Sequence, residues 1–361
     1  MADTDYVFQP MYTYLGNKRK LLDFIEHTVE LVKQRLNKPK LRILDGFTGS
    51  TVVARMLARH ASELHTNDTE LYSYIAANCF LKQPSPEQVA RIEAHLSRMN
   101  SISEFRPGFV TEMYAPQDTQ NVQPGERCFF THENALRIDT WRKYIDEHVE
   151  EDLRHWLLCP LLVQMSTHTN TMGHFKAFIK NKEGLGDFED SGARVTNPLV
   201  LHTPIWNPNS CAVVCHQKST NDLVKELPPL DLIYYDPPYN QHEYSAYYFL
   251  LNVVGSNTRP ENVNAVTGLP KARYKSDYNS KAKAVDAMKQ LLDDSLKIST
   301  YVLVSYNDEG IIPEPEWRKM LEPYQFERIE QRYQRYVARG TKTREGRNEV
   351  MEILYLISKK P

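Results

Sequence analysis

The sequence predicts an α/β protein with a doubly wound, mostly parallel sheet, and three stretches of the chain support this fold class. The apolar run "LRILD" (41–45) ends on an acid and leads through "GFTGS" into the helical pattern "TVVARMLARHA". A second run ends near Asp68 and is followed by another helical pattern, "ELYSYIAANCF". Further along, "DLIYYD" (231–236) is again an apolar strand that ends on an acid. Strands that alternate with helices in this way are typical of parallel sheets.

Other elements of the same kind lie on either side of these stretches. Apolar residues recur at helical spacing in "NKRKLLDFIEHTVELVKQRL" (17–36), which predicts a helix before the first strand. "CAVVCH" (211–216) predicts a further strand, and a short polar helix follows it. "STYVLVSY" (299–306) and "VMEILYLIS" (350–358) predict two strands in the last part of the chain.

The pattern changes after residue 84. Residues 87–197 contain several helical patterns, separated by "RPGF" and "QPGERC", without a clear alternation of strands and helices. We therefore predict one α/β domain formed by 1–84 and 198–361, with 85–197 as an inserted, mainly helical domain.

The composition is that of an ordinary globular protein, and it argues against a polybasic nucleic-acid binder and a membrane-spanning protein. The chain has 361 residues and a formal net charge of −2, so binding to nucleic acid would need local basic patches. No apolar run reaches 18 residues and no leader pattern follows Met1, so we expect a cytoplasmic protein without a membrane partner. Five cysteines, an odd number, favour reduced thiols. Cys211, Cys215 and His216 lack a second ligand pair at suitable spacing, so we predict no metal site.

The turn "DGFTGS" after the first strand has features of a cofactor site. Ligands of parallel sheets bind at the carboxyl ends of strands, where Asp45 and Asp68 are both expected. Gly46 and Gly49 let the backbone approach a ligand closely, and the turn lacks a phosphate-binding lysine. Acids and glycines without a phosphate cradle suit S-adenosylmethionine, which has an amino group and ribose hydroxyls. An Asp-Gly pair after a strand is also ordinary turn chemistry, so this alternative stays open.

The motif "DPPY" after the strand 231–235 suits the handling of an aromatic amine. The lone pair of such an amine is delocalised into its ring, and two fixed acceptors for the amino hydrogens localise it. Asp236 can supply one acceptor and the Pro237 carbonyl the other, while the prolines keep the turn rigid. Tyr239 offers a flat face on which a base can stack. The alternative is a rigid turn with Tyr239 packed on the surface.

The chain resembles the DNA adenine-N6 methyltransferases of the Dam kind, and especially the FokI-type modification methylases. The resemblance rests on "YLGNKRKLL", "DGFTGS", "LIYYDPPYNQHEYSAYYFLLN" and "LVSYNDEG", in that order. It covers about 11–80 and 198–361. It implies a Rossmann-like methyltransferase sheet, with 85–197 as the target-recognition domain, and a target adenine that leaves the duplex at a cost of a few kcal/mol.

The resemblance also implies roles for individual residues. The resemblance implies that Tyr14 lies beside the cofactor and that Lys18 faces either the cofactor or the DNA. The methionine end of S-adenosylmethionine is held by Asp45, Phe47 and Gly49, and its ribose by Asp68. The target adenine is held by Asp236, Pro237, Pro238 and Tyr239. The family often has an acid near the end of the strand before DPPY, but this chain has "VCHQKSTND" there, so Gln217 is the candidate for contacting the cofactor adenine.

Two basic segments are candidates for contacting DNA phosphates. The segment "RYQRYVARGTKTREGR" (332–347) lies between two apolar stretches and is expected to form a hairpin loop, and "KARYKSDYNSKAK" (271–283) carries five cations and one acid. Either segment could instead be a solvated surface loop. The candidate residues are Arg332, Arg335, Arg339, Lys342, Arg344 and Arg347 in the first segment, and Lys271, Arg273 and Lys275 in the second.

The expected function is site-specific methylation of adenine N6 in double-stranded DNA, as part of a restriction-modification system. A cognate restriction endonuclease would act separately, and we expect a monomer. One alternative is an RNA adenine or protein amide methyltransferase, which more often has Asn in place of Asp236. The other is a non-catalytic DNA-binding module, which would not need the amine-holding residues.

Overall fold

A computed structural model describes residues 6–8, 14–189, 192–334 and 349–360, and the side chains of 333, 334 and 349 are not part of that description. Contacts within the chain divide it into two compact units, which we describe separately. The sheet unit consists of Lys18–Thr69, Asn209–Glu243 and Lys275–Pro361. The helical unit consists of Met1–Asn17, Glu70–Pro208 and Tyr244–Tyr274.

The sheet unit contains a seven-stranded, mostly parallel sheet with the order β3-β2-β1-β4-β5-β7-β6. Its strands are β1 Leu41–Asp45, β2 Ala61–Asn67, β3 Ala212–His216, β4 Leu230–Tyr235, β5 Ser299–Asn307, β6 Gln325–Gln334 and β7 Glu349–Ser358. The first five strands pair in parallel, and β7 lies antiparallel between β5 and β6. The strand order reverses direction at β1 and β4, where doubly wound folds bind their ligands. The predicted doubly wound, mostly parallel sheet is therefore confirmed.

Successive side chains of the central strands point to opposite faces of the sheet and are buried on both, so helices are needed on both sides. Leu44 and Ile233 belong to an apolar cluster on one side, whereas their neighbours Ile43 and Leu232 are also fully buried but lie outside that cluster. Strands that are buried on both sides read as continuous apolar runs, as β4 does. The helices of this unit are α1 Leu22–Leu36, α2 Val52–Leu57, α9 Thr220–Leu223, α12 Ala284–Ile298 and α13 Glu314–Leu321.

The helical unit includes 85–197 and its described residues are mainly helical, whereas the inserted domain with the bounds 85–197 stays a prediction. Its described residues form no strand of a sheet and only two isolated β-bridges. The helices are α3 Leu71–Leu81, α4 Pro86–Asn100, α5 Phe109–Tyr114, α6 His132–His148, α7 Arg154–Thr167, α8 Ala193–Thr196, α10 Tyr244–Tyr247 and α11 Phe249–Ser256. The unit is larger than 85–197, because it also includes 1–17, 70–84, 198–208 and 244–274. The assignment of 85–197 to target recognition remains a prediction.

Two polar side chains hold the helices of this unit together. The carboxylate of Asp139 accepts hydrogen bonds from the backbone N–H groups of Gly108, Val110 and Thr111, at the start of α5. The guanidinium of Arg142 donates to the carbonyls of Val254 and Gly255 at the end of α11. Both side chains satisfy backbone groups that a helix end leaves without partners.

Strand β6 is the strand of the sheet that the sequence pattern did not predict, and the placement of Arg332 in a loop is wrong. Arg332 lies within β6, opposite Met351 of β7. The strand has few apolar residues because it forms the edge of the sheet and its side chains are largely exposed. The alternation that marks a half-buried strand is therefore weak in "QFERIEQRYQ".

Candidate active site at the ends of strands β1 and β4

Asp45 ends strand β1 and is almost completely buried, with 1% of its surface exposed. Neither oxygen of its carboxyl group has a hydrogen-bond partner of good geometry among the described residues. Burial, together with the negative charges of Asp236 and Asp68, holds the pKa of Asp45 well above its ordinary value, and only the N–H of Phe47 opposes this. A buried acid without partners is unfavourable in a folded chain, so it is a candidate for binding a ligand that donates hydrogen bonds.

The turn after Asp45 is shaped by close packing. A Cβ atom on Gly46 would lie 2.4 Å from the ring of Tyr235, so no other residue fits there without movement. Gly49 has a φ of 49°, and Thr51 has a φ of 67°. The second value is unusual for a β-branched residue, and such conformations occur most often at functional sites. The hydroxyl of Thr51 is buried and lacks a hydrogen-bond partner among the described residues.

Asp68 follows β2 and holds this turn in place. Its Oδ2 atom accepts a hydrogen bond of 2.7 Å from the backbone N–H of Gly49. The sequence predicted Asp68 and Gly49 at one cofactor site, and the structure brings them into direct contact. Asp68 is half-buried, so part of its surface is open to solvent.

Asn67 is a residue that no motif of the sequence singled out. Its side-chain amide donates to the carbonyl of Lys218 at 3.0 Å and to the hydroxyl of Thr220 at 3.1 Å, and its Oδ1 accepts from the N–H of Lys218. These bonds tie the end of β2 to the segment that follows β3. An Asn next to an acid at a strand end is too common a pattern to identify this role from sequence.

Phe47 and Gln217 lie near the ends of neighbouring strands, and Phe47 is half-buried whereas Gln217 is exposed. The ring of Phe47 packs edge-on against Tyr278, with 5.2 Å between ring centres, and against Tyr235 at 5.8 Å. Gln217 is exposed, and its side-chain amide donates to the carbonyl of Thr69 at 3.3 Å. That hydrogen bond places Gln217 beside the segment that follows β2, and its predicted contact with the cofactor adenine remains a prediction.

Asp236 lies at the end of β4, next to the end of β1. Asp45 pairs in register with Tyr234, which is two residues before Asp236. Pro237 is buried, and Pro238 and Tyr239 are half-buried. The Tyr239 carbonyl accepts a hydrogen bond of 2.8 Å from the N–H of Ile311, which anchors the end of the motif.

Lys18 lies beside Asp236 in the sheet unit. Its Nζ atom is 2.9 Å from Oδ1 of Asp236, 3.2 Å from Oε1 of Glu352 and 5.2 Å from the centre of the Tyr239 ring. Burial alone would lower the pKa of Lys18, but the two carboxylates outweigh it and hold that pKa well above the ordinary value. Lys18 is therefore a charged residue of the DPPY site.

Desolvation raises the pKa of Asp236 to about 6. The charge of Glu352 also raises this pKa, whereas the ammonium of Lys18 lowers it. At neutral pH the carboxyl group is therefore ionised and remains a better proton acceptor than an exposed aspartate. This combination of burial and a specific charged partner is common at catalytic sites.

Glu352 and Ser305 were not identified from the sequence. Glu352 is on β7 and is 1% exposed, and its Oε1 accepts a hydrogen bond of 2.5 Å from the hydroxyl of Ser305 on β5. Ser305 lies in "LVSYNDEG", one of the stretches that carry the family resemblance. That motif does not indicate that Ser305 contacts Glu352. Glu352 is 334 positions after Lys18 in the numbering, and no sequence pattern connects them.

Tyr14 lies in the helical unit, within a group of tyrosines. Its ring stacks on that of Tyr248, with centres 4.9 Å apart, and on that of Tyr244 at 5.2 Å. The next residue, Leu15, donates from its N–H to the hydroxyl of Tyr248 at 2.8 Å. These contacts give Tyr14 a packing role in its unit, and its predicted position beside the cofactor remains untested.

The predicted DNA-contacting residues fall into three groups. Lys271 and Lys275 are exposed, whereas Arg273 is half-buried and donates to the carbonyl of Pro270 at 3.4 Å. Arg332 is exposed on β6. The remaining candidates lie outside the described residues, namely Arg335, Arg339, Lys342, Arg344 and Arg347.

Within the ranges that the structure describes, there is no cluster of His, Cys, Asp or Glu side chains that could hold a metal ion. The five cysteines, all of which lie in the described ranges, form no disulfide bond with one another. In the same ranges no helix is long and apolar enough to cross a membrane.

Known proteins with similar sequences point to one family. Residues 14–320 match the sequence family of D12 class N6 adenine-specific DNA methyltransferases. The type II methyltransferase M.CviAII of Paramecium bursaria Chlorella virus 1 is 29% identical over 314 residues, which is 86% of this chain and 88% of that protein. The type II methyltransferase M.NlaIII of Neisseria lactamica is 27% identical over 355 residues, covering 96% and 99% of the two chains.

A third relative is similar over only part of its length. The type II methyltransferase M.FokI of Planomicrobium okeanokoites is 25% identical over 363 residues, which is 96% of this chain but 52% of that protein. The family match spans the turn after Asp45, the motif that begins at Asp236 and the whole stretch between them. The expected resemblance is thereby confirmed, and the chain belongs to the D12 class of N6 adenine-specific DNA methyltransferases.

Proposed function

We propose that this chain transfers a methyl group from S-adenosylmethionine to N6 of an adenine in duplex DNA, using Asp45 to bind the methyl donor and Asp236 to hold the adenine. The observation that carries this proposal is the pair of acids at the ends of neighbouring parallel strands β1 and β4, of which Asp45 is buried and Asp236 is half-buried. Two reactants that bind at adjacent strand ends are held close together, which favours reaction between them.

The residues at the end of β1 fit S-adenosylmethionine. The buried carboxylate of Asp45 has two oxygens without good hydrogen-bond partners among the described residues, and the α-amino group of the donor's methionine portion is a cationic group with several N–H donors. The narrow turn at Gly46 and Gly49 allows the backbone to approach that portion. Asp68, which is half-buried at the end of β2, is proposed to bind the ribose. When bound, S-adenosylmethionine supplies a methyl group on a positively charged sulfur, which keeps the electron pair of the broken bond.

The residues at the end of β4 fit the amino group of an adenine. The ionised carboxylate of Asp236 and the carbonyl of Pro237 accept the two amino hydrogens, and the amine lone pair is then directed away from the ring system. Tyr239 provides a stacking surface, and a stacked base contributes about 1–3 kcal/mol. Because the adenine must leave the duplex to reach this site, stacking offsets part of the cost of unpairing it.

Asp236 also suits the removal of a proton. The amine nitrogen that forms a new bond to carbon must release one of its hydrogens to become neutral methylamino-adenine. The carboxylate that already accepts that hydrogen is the nearest base, and its pKa of about 6 allows it to take the proton and then release it to solvent near neutral pH.

Contacts to the DNA backbone are proposed for the two basic segments. The exposed ammonium groups of Lys271 and Lys275 and the exposed guanidinium of Arg332 are available to phosphates. The basic residues between 335 and 347 are proposed for the same role from their sequence alone. Recognition of the target sequence is proposed for 85–197.

The experiment that tests the reaction is transfer of a labelled methyl group to duplex DNA, RNA and protein in parallel. Label is expected only in DNA and only at adenine N6, as shown by digestion and separation of the nucleosides. Label in RNA or protein but not in DNA would overturn the proposal. The RNA or protein alternative is not favoured, since the family acts on adenine in DNA and position 236 is an acid.

We further propose that the enzyme serves a restriction-modification system in the cytoplasm, acts as a monomer and has a separate cognate endonuclease. Support comes from relatives that are named type II methyltransferases or modification methylases. Sequencing of modified bases in DNA from expressing cells should show a single methylated motif, and that DNA should resist a nuclease that cuts this motif. Scattered methylation without a motif would contradict the proposal.

A further inference from the structure

Three carboxyl groups and one ammonium group are concentrated at the ends of the central strands. Asp45 and Asp236 lie on neighbouring parallel strands, and Glu352 lies on β7, opposite Asn307 of β5. The ammonium of Lys18 contacts Asp236 and Glu352 and is the only cation that these two acids contact among the described residues. Burying a second acid beside one lysine is costly, so the position of Glu352 calls for an explanation.

The geometry around Lys18 suggests what that role is. An ammonium group has three N–H donors and carries no preferred direction beyond its tetrahedral shape. With Asp236 as its only partner, the ammonium could bridge both oxygens of that carboxylate or move between them. Glu352 offers a second acceptor at 3.2 Å, which holds the ammonium beside Oδ1 of Asp236.

Glu352 is itself fixed. The hydroxyl of Ser305 donates to the same Oε1 atom that contacts Lys18. Ser305 belongs to β5 and Glu352 to β7, which pair with each other along their length. The position of the ammonium is thus set by the sheet itself and not by a loop, and sites on rigid elements are held more accurately.

We infer that Glu352 is a positioning residue for methyl transfer: through Lys18 it occupies one oxygen of Asp236 and leaves the other oxygen to accept a hydrogen from the adenine amino group. This inference rests on the proposed role of Asp236. It assigns a catalytic-site function to a residue of β7 that no motif of the chain identifies.

The charges around Asp236 give this role a measurable signature. Lys18, Glu352, Tyr234 and Asp45 interact electrostatically with Asp236, and Tyr239 interacts with Lys18. Among these, the charge of Glu352 raises the pKa of Asp236, and that of Lys18 lowers it. Removing the charge of Glu352 therefore moves the ionisation of Asp236 to lower pH.

The test compares Glu352→Gln and Glu352→Ala with the wild type in single-turnover methylation of duplex DNA, over a range of pH. Gln keeps the shape and one acceptor oxygen but loses the charge, whereas Ala loses both. We expect the rate constant to fall about 10- to 100-fold in the Ala variant and less in the Gln variant, as for other small displacements of a reacting group. The affinities for S-adenosylmethionine and DNA should stay within the range of the wild type.

The pH dependence distinguishes positioning from simple structural support. In Glu352→Gln the acid limb of the rate profile should lie at lower pH than in the wild type. Ser305→Ala, which keeps the Glu352 charge but loosens its position, should lower the rate without that shift. Glu322→Gln, a change at an exposed acid, serves as the matched control and should alter neither quantity.

Two outcomes overturn the inference. If folded Glu352→Gln has the wild-type rate and the wild-type acid limb while Asp236→Ala is inactive, Glu352 is only a structural partner of Lys18. If Asp236→Ala itself methylates DNA at the wild-type rate, the proposed role of Asp236 fails and the inference fails with it. The isosteric Gln variant keeps the test valid even where the Ala variant does not fold.

Discussion

The Nζ atom of Lys18 lies 2.9 Å from Oδ1 of Asp236. The family resemblance implies a lysine that faces the cofactor or the DNA, which stays a prediction, and in this structure its ammonium is paired with the acid of the DPPY motif. The pairing favours the ionised form of Asp236 and so opposes the desolvation that raises the pKa of this half-buried acid. The site can therefore be probed through Asp236 itself and through its neighbours at the ends of β1 and β2.

Activity should depend on the ionised form of Asp236. Because its pKa is raised to about 6, the rate constant should fall as pH decreases through about 6, well above the pH at which an exposed aspartate becomes protonated. Asp236→Ala should abolish methyl transfer, and Asp236→Asn, which keeps one acceptor oxygen, should retain some activity without this acid limb. Single-turnover rate constants measured over a range of pH compare the wild type, Asp236→Ala and Asp236→Asn. Full activity of Asp236→Ala would refute the proposed role.

Tyr239 should act through its ring rather than its hydroxyl. Tyr239→Phe keeps the stacking surface and should change the rate little, whereas Tyr239→Ala should weaken binding of the flipped adenine by about 1–3 kcal/mol. A duplex with 2-aminopurine at the target position reports this directly, since its fluorescence rises when the base leaves the stack. The Phe variant serves as the control for the Ala variant. Equal fluorescence in both variants would mean that Tyr239 does not hold the base.

Asp45→Asn should stabilise the protein without ligands but weaken binding of the methyl donor. The pKa of Asp45 is raised in the folded state, so its ionisation costs stability as pH rises from the unfolded value near 3.8 through the folded value. An asparagine has no such cost, and the melting temperature at neutral pH should therefore be higher. Calorimetry should show a loss of about 1.5–3 kcal/mol in binding of S-adenosylmethionine.

The two readouts for Asp45 separate a ligand site from a structural acid. If Asp45→Asn is more stable and binds S-adenosylmethionine with full affinity, Asp45 does not contact the methyl donor. A variant that loses stability would mean that the carboxylate has a structural partner in solution.

Asp68→Ala should weaken binding of S-adenosylmethionine by about 1.5–3 kcal/mol, the usual value of a hydrogen bond to a charged group. Two effects contribute, because the side chain is proposed to bind the ribose and also accepts the N–H of Gly49. Asp222→Ala, an exposed acid in the helix after β3, is the matched control and should bind normally. Unchanged affinity of Asp68→Ala in calorimetry would place the ribose elsewhere.

Replacement of Lys271, Arg273 and Lys275 with Ala should weaken DNA binding on all sequences alike. The plot of log affinity against log salt concentration should flatten by about 0.9 for each phosphate that the variant no longer neutralises. The control replaces three exposed lysines elsewhere with Ala and removes the same charge, namely Lys225, Lys289 and Lys319. Equal effects of the two triple variants would indicate general electrostatics, and a loss confined to one sequence would indicate base recognition.

The sequence by itself determined the parallel core of the sheet and the positions of its acids. Strands β1 and β4 are apolar runs that end in the motifs DGFTGS and DPPY, and parallel strands bring such ends to one edge. Local patterns of this kind are read directly from the chain because burial on both faces requires continuous apolar residues. The family could be predicted for the same reason, since its motifs are short and contiguous.

Only the tertiary structure decided which side chains surround those acids. Glu352 reaches Lys18 because β7 enters the sheet antiparallel between β5 and β6, and no local pattern encodes that order. Strand β6 was missed because an edge strand is exposed and needs few apolar residues. Tyr14 packs among tyrosines of the helical unit through ring contacts between residues more than 200 positions apart, which no local pattern encodes, and its place beside the cofactor stays a prediction. Long-range packing, which depends on the whole chain, therefore set the electrostatics of the site, while local sequence set its chemistry.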